Sequence, residues 1–276
     1  MGYIPILLSM YITIDLGGTK TLVALISKNK EIINQIKFET PRDYGEFKNA
    51  LISVKNQFTE EADFEMGAIG TRGILDRKNG LMETDTVLPW ENASLVKDCE
   101  EVFGCKFLIE NDSKLAGLSE ARAIDGQYSK ILYITISTGI GSALIVDGKL
   151  EENIEDSEIG KWVFEHDGKM QSWQDFASGH WITDTYGMRA SELEDEEAWL
   201  QISKNLAIGF VDAVAAYNPE VIIIGGGVGT HFDKYGTKLI SEMKKIMPDG
   251  LDMPQVVKAK YPEEAVIYGC YELIKG

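Results

Sequence analysis

At 276 residues the chain is too long for one small hydrophobic core and long enough for two lobes. An apolar fraction of 44% beside 26% charged residues, with no Gly/Ser, Pro or Gln tract, excludes a disordered or low-complexity protein. Lys and Arg number 27 against 44 Asp and Glu, a formal charge of −17 that lacks the footprint of a nucleic-acid binder, so any bound phosphate must be gripped locally.

Ile4 to Leu8 is apolar but too short for a signal core or a membrane span, and residues 1–9 are assigned no function. Tyr11 to Leu16 is a nearly continuous apolar run, followed by Gly17-Gly18-Thr19 and a second run, Leu22 to Ile26, which predicts strand, glycine turn, strand. Glu31 to Phe38 is a third strand candidate. After Pro41 the spacing changes, and Phe47, Ala50, Leu51, Val54 and Phe58 trace one face of a helix. A strand at Met66 to Gly70, a helix over about 94–103 closed by Gly104, and a strand at Phe107 to Glu110 complete an opening order β-β-β-α-β-α-β.

Ile131 to Ile136 starts a second cycle, with Ser137 to Gly141 as its glycine turn and Ala143 to Val146 as its return strand. Two segments that open alike suggest an internal duplication. The acidic run Glu192 to Glu197 reads as a solvated face. Trp199 to Tyr217 predicts a long helix ended by Asn218-Pro219, and Val221 to Ile224 a buried strand running into Gly225-Gly226-Gly227-Val228-Gly229. Pro262 opens a final helix carrying Val266, Ile267, Cys270 and Leu273. The expected domains are 10–112, 113–261, and a helix over 262–276 that packs back on the first lobe. Cys99, Cys105 and Cys270 fit neither a disulfide framework nor a zinc motif, which points to a reducing, cytoplasmic location.

Asp15 stands at the end of a buried strand beside the turn Gly17-Gly18-Thr19-Lys20, where an acid can hold Mg²⁺ through water while turn N–H groups face phosphate oxygens. A plain hairpin with an acid at its strand end explains the same residues equally well. The turn is not a Walker A loop. Thr138, Gly139 and Gly141 occupy the matching place in the second cycle. Gly225, Gly226 and Gly227 could pass under an adenine or ribose; as a Rossmann fingerprint they fail, because Thr230 ends the pattern and the βαβ context is missing. Asp112 follows Asn111 at the carboxyl end of a strand and the start of a helix carrying Leu115, Leu118 and Ala121. An Asp there is most often only an N-cap, yet open α/β sheets place ligands at this end, and an ionised Asp can accept a hydroxyl proton while Asn111 orients a neighbouring hydroxyl.

Together these residues resemble the ROK (repressor, open reading frame, kinase) sugar kinases of the hexokinase/actin superfamily. Asp15 to Lys20 resembles their first phosphate loop, Leu88 to Asn92 the segment before the lobe's last helix, and Glu110-Asn111-Asp112 through Glu120 the stretch with the catalytic Asp. Thr138 to Gly141 resembles the second phosphate loop, Glu158-Ile159-Gly160 the sugar-binding triplet, and Ile223 to Gly229 the adenosine-side glycines. The resemblance implies an α/β, two-lobed actin-like (ribonuclease H-like) ATPase fold with a cleft, ATP and Mg²⁺ as donor and cofactor, and a hexose such as glucose phosphorylated at its 6-hydroxyl. It implies Asp112 as base, Asn111, Glu158 and Gly73 at the sugar, and no nucleic-acid or membrane partner. A homodimer is the assembly considered, without a residue that argues for it.

Departures fall on the sugar side. Lys161 stands where the family has a His that touches sugar and ligates a structural zinc, residues 162–173 hold no cysteine, Gln174 replaces a Glu, and Gly70-Thr71-Arg72-Gly73 lacks the usual Pro. No zinc is therefore expected, and Lys161 either points to solvent or pairs with Glu158 and fixes that carboxylate toward the sugar. Zinc-free polyphosphate glucokinases share the form of the second loop, which raises polyphosphate as an alternative donor, although the acidity of the chain disfavours it. A sugar-binding sensor without turnover is the reading from another class. A repressor is disfavoured because only fourteen residues precede Asp15.

Overall fold

A computed structural model of the protein describes residues 10–58, 64–124, 128–154, 156–261 and 263–276. The expectations attached to residues 1–9 and to Pro262 lie outside the described residues. The chain forms two compact units, one from residues up to Ser119 together with Glu264–Gly276, the other from Glu120–Glu263. The first division expected from sequence, after Asp112, differs from this one, which falls inside a helix.

In the first unit β1 (Met10–Leu16) and β2 (Lys20–Ser27) pair antiparallel across Gly17 to Thr19, and β3 (Ile32–Glu39) extends the meander. Helix α1 (Tyr44–Gln57) is capped by the Asp43 carboxylate, which accepts from Glu46 N at 2.9 Å, a cap worth about 1 kcal/mol. Its face of Phe47, Leu51 and Val54 is buried, as the spacing predicts. The chain then enters β4 (Phe64–Thr71), parallel to β1. A small antiparallel sheet of β5 (Ile74–Asp76), β6 (Leu81–Thr84) and β7 (Glu91–Ala93) follows. Helix α2 (Leu95–Phe103) ends on Gly104 at φ 77°, β8 (Lys106–Asn111) lies parallel to β4, and α3 (Asp112–Ala123) begins at once. The five-stranded order is β3-β2-β1-β4-β8.

The second unit repeats this plan. Antiparallel β9 (Lys130–Ile136), β10 (Ile140–Val146) and β11 (Lys149–Leu150) form the meander. A 3-10 turn at Ile159–Lys161 leads to a hairpin of β12 (Val163–His166) and β13 (Lys169–Ser172). Helices α4 (Trp173–Ala177), α5 (Gly179–Tyr186) and α6 (Glu196–Tyr217) follow, and Asn218 at φ 46° ends α6. Strand β14 (Val221–Gly225) runs parallel to β9, α7 (Gly226–Gly229) is a single turn, and α8 (Phe232–Ile246) leads to β15 (Gln255–Lys258), parallel to β14. The order β11-β10-β9-β14-β15 matches the first sheet strand for strand. Finally α9 (Ala265–Lys275) packs in the first unit. Its Ile267 and Tyr271 join Tyr11, Leu22, Ala24 and Ile26, and Cys270 joins Ala68 and Leu115. Gly269 permits this approach, since a Cβ there would lie 2.1 Å from Leu115 O.

One expectation needs correcting. The glycines from 225 do stand in a βαβ context, because β14, α8 and β15 form one. Its helix buries Tyr235, Gly236, Leu239 and Met243 on one face, a helical spacing that the sequence does carry. Among the described residues no helix is long and apolar enough to cross a membrane.

Candidate active site

The parallel strands of the first unit bring three acids to one end. Asp15, Gly70 and Glu110 are level across β1, β4 and β8, and Leu16, Thr71 and Asn111 form the next row. Asp112 therefore emerges one residue beyond the sheet edge. Burial pushes the Asp15 carboxyl up to about 7, the Asp112 carboxylate adds to the shift, and Lys37 opposes it. The expected cap at Asp112 is shared: Ser113 N donates to Asn111 Oδ1 at 3.0 Å and to Asp112 Oδ1 at 2.6 Å, and Ser113 Oγ also meets Asn111 Oδ1 at 2.5 Å. Asn111 is thus oriented partly by the helix start it introduces.

The first glycine turn is pinned from outside. Gly17 N donates to Lys20 O at 3.1 Å, Thr40 N to Thr19 O at 2.9 Å, and Thr40 Oγ1 to Gly17 O at 2.8 Å, with Thr21 Oγ1 2.9 Å from Thr40 Oγ1. A Cβ on Gly18 would meet Val87 Cγ1 at 2.7 Å. Val87 is itself held by Asp85, whose Oδ1 accepts from Val87 N and Leu88 N at 2.6 and 2.7 Å while Oδ2 accepts from Arg72 Nε at 2.7 Å. Burial works to raise the Asp85 pKa, but those N–H groups and the guanidinium hold the carboxyl below its ordinary range. Gly73, at φ 93°, turns the chain where a Cβ would lie 2.5 Å from Thr84 O. Sequence reasoning missed Thr40 and Asp85; the only signal was a hydroxyl and an acid each beside a proline-containing loop.

In the second unit Ser137 N closes the turn on Gly139 O at 2.9 Å, and the start of α5 docks on it through Gly179 N to Ser137 O at 2.7 Å and His180 N to Thr138 O at 3.3 Å. A Cβ on Gly139 would come 2.9 Å from Gln174 Oε1. Gly226, at φ 81°, lies where a Cβ would be 2.5 Å from Ile136 O, whereas Gly227 has open space beside it. Thr138, Gly139 and the Gly225–Gly227 corner thus adjoin one another, with Gly141 opposite Thr135 at the start of β10. The Glu158 triplet is tied to this region: a Cβ on Gly160 would be 2.1 Å from Ile140 O. Lys161 Nζ and Glu158 Oε2 are 2.6 Å apart, with both side chains about half exposed. Glu120 lies apart from these groups; its buried carboxylate accepts from Lys260 N and Tyr261 N at 2.7 and 2.6 Å.

Two matching sheets, each opening on a hairpin with a glycine turn and each adding two parallel strands, define the actin-like ATPase fold. The chain belongs to the ROK family, whose profile matches residues 11–276. It is 24% identical to an N-acetyl-D-glucosamine kinase of Haemophilus influenzae over 96% of this chain and 99% of that one. It is 26% identical to a glucokinase of Thermotoga maritima, with 96% of each chain covered. The crystal structure of a ROK family glucokinase from Streptomyces griseus, in complex with glucose and AMPPNP, superposes with a TM-score of 0.81 at 21% identity, covering 97% of this chain and all of that one.

Proposed function

We propose that this protein is a sugar kinase that transfers a phosphoryl group from MgATP to a hexose, at the 6-hydroxyl of a glucose-like acceptor, with Asp112 as the base. The observation that carries the reading is that Asp15, Asn111 and Asp112 gather at the carboxyl ends of the parallel strands β1 and β8, Asn111 one row beyond the level of Asp15 and Asp112 just past the sheet, beside a glycine turn with no room for side chains. Relatives named as glucokinase and N-acetyl-D-glucosamine kinase support a sugar as acceptor.

In this reading Asp112 takes the proton of the attacking hydroxyl as the hydroxyl oxygen bonds to the terminal phosphorus of ATP, the bond from that phosphorus to its bridging oxygen breaks, and ADP leaves. The sugar contacts in this reading are Asn111, Gly73 and Glu158, the last paired with Lys161. Turn N–H groups at Gly17 to Lys20 and Thr138 to Gly141 receive the phosphates, and Gly225 to Gly227 lie under the nucleoside. The residues at Asp15 fit a divalent cation: a carboxyl whose pKa is raised partly by a neighbouring carboxylate is a hard oxygen group short of positive charge. Asp15 would hold Mg²⁺ there through water, and the ion would supply charge neutralisation on the phosphates.

A matrix of donors (ATP, polyphosphate) against glucose, fructose, mannose and N-acetylated hexosamines tests the reading. We expect turnover with ATP and at least one hexose, and Asp112→Asn should lower kcat about 10²-fold or more with sugar affinity little changed. Silence across the matrix, or near-normal turnover in Asp112→Asn, would overturn it.

A further inference from the structure

We propose that Arg77 is a positioning residue for this reaction, acting through Glu110 on the corner formed by Asn111 and Asp112; the proposal rests on the kinase reading above. Arg77 sits in the turn between β5 and β6, in the small sheet that the strand pattern of the sequence did not reveal. Its Nε lies 3.0 and 2.9 Å from the two Glu110 oxygens and its Nη2 lies 2.7 Å from Oε1, so a planar fork closes on one carboxylate. The pair is sheltered, with the Arg77 side chain 20% exposed and that of Glu110 8%.

Glu110 does more than receive the guanidinium. Its Oε1 also accepts from Asn111 N at 2.6 Å, so the carboxylate that Arg77 orients fixes the backbone at the end of β8. Asn111 Oδ1 in turn accepts from Ser113 N and Oγ. The links run in series: the β5–β6 turn sets Glu110, Glu110 sets the Asn111 backbone, and the Asn111 side chain sets the first turn of α3, where Asp112 begins. A misplacement of the base by a fraction of its bond length to the sugar is costly, because near-attack geometry carries much of the catalysis in phosphoryl transfer. Charge points the same way. Glu110 is level with Asp15 one strand removed, and Asp112 is two residues on, so the guanidinium balances an acid at an end of the sheet already crowded with carboxylates. The competing explanation is that the ion pair only fastens the small sheet to the unit.

Kinetics separate the two. Arg77→Gln, Arg77→Lys and the double variant Arg77→Gln/Glu110→Gln would be assayed at saturating and limiting sugar and donor, with rates corrected for folded fraction. The wild type first establishes turnover; if it phosphorylates no sugar, the kinase reading fails and not this proposal alone. With an active wild type, Arg77→Gln should lose roughly 10- to 100-fold in kcat/KM for sugar per folded molecule while donor KM stays within about twofold. Arg77→Lys, which keeps the charge without the fork, should fall between the two and carries the test if Arg77→Gln does not fold. The double variant, free of an unpaired buried acid, should regain thermal stability without regaining kcat/KM. Wild-type sugar kinetics per folded molecule in Arg77→Gln or Arg77→Lys, or recovery of kcat/KM together with stability in the double variant, would show a purely structural pair and overturn the proposal.

Discussion

Asp15 illustrates a site residue placed at the expense of stability. In the folded protein its carboxyl titrates near 7, against 3.8 for the ordinary group, with burial as the larger cause and Asp112 as the second. Between those values the folded state holds a proton that the unfolded chain gives up, so stability falls as pH rises through this window and is lowest above it. At about 1.4 kcal/mol per pH unit the effect is a few kcal/mol at most. Calorimetry of the free protein without Mg²⁺ or nucleotide should therefore find Asp15→Asn several degrees more stable than wild type at pH 8, the gap closing toward pH 4, while turnover drops. Parallel stability curves would contradict the assigned cause. Lys161 calls for a different scale of effect. It does pair with Glu158 at 2.6 Å, as its sequence position suggested, but the two side chains are 63% and 48% exposed. Surface pairs of this kind contribute about 1 kcal/mol or less, so Lys161→Ala should raise sugar KM by about fivefold at most and leave donor KM alone. A donor KM that moves instead would make Lys161 a phosphate contact.

At the level of elements, the hairpin of β12 and β13 occupies the segment where the resemblance led one to look for a zinc loop. Asp167 and Gly168, at φ 51° and 73°, give it the two left-handed residues of a tight hairpin turn. Phe164 packs edge-on against Phe176, and the His166 ring stacks on Phe176 at 4.1 Å while its Nε2 lies 3.4 Å from Asn205 Oδ1. The hairpin is thus ordered by its turn and by aromatic packing. Chelation should accordingly leave the melting temperature unchanged, and elemental analysis of tag-free protein should show well under one zinc per chain; a tightly held equivalent would refute this. The same hairpin shows why elements differed in legibility. Helix α1 announced itself through five apolar residues at helical spacing, and β1, β9 and β14 through nearly continuous apolar runs, because each buries a full stripe or both faces. The strands β5, β6 and β7 run three or four residues and bury little, with Ile74 and Val163 left exposed in the small sheets, so no periodicity marked them.

For the whole molecule, the duplicated strand order is visible as two strand-turn-strand openings, whereas the glycine turns and Asn111-Asp112 fit ordinary hairpins and a cap one by one and carry meaning only through their occurrence together and in order. What stayed hidden was everything that depends on contact between distant segments: Thr40 on Gly17, Arg72 on Asp85, and Arg77 on Glu110, each a polar pair that one-dimensional spacing does not encode. The division into units carries one more consequence. The first is discontinuous, since Tyr11, Leu22, Ala24 and Ile26 are covered by Ile267 and Tyr271 of α9. On a ribosome moving at roughly 5–20 residues per second, that apolar sheet face is made on the order of ten seconds or more before its cover exists. The nascent chain thus carries an exposed hydrophobic surface through the entire synthesis of residues 120–263, the interval in which aggregation competes most strongly with folding.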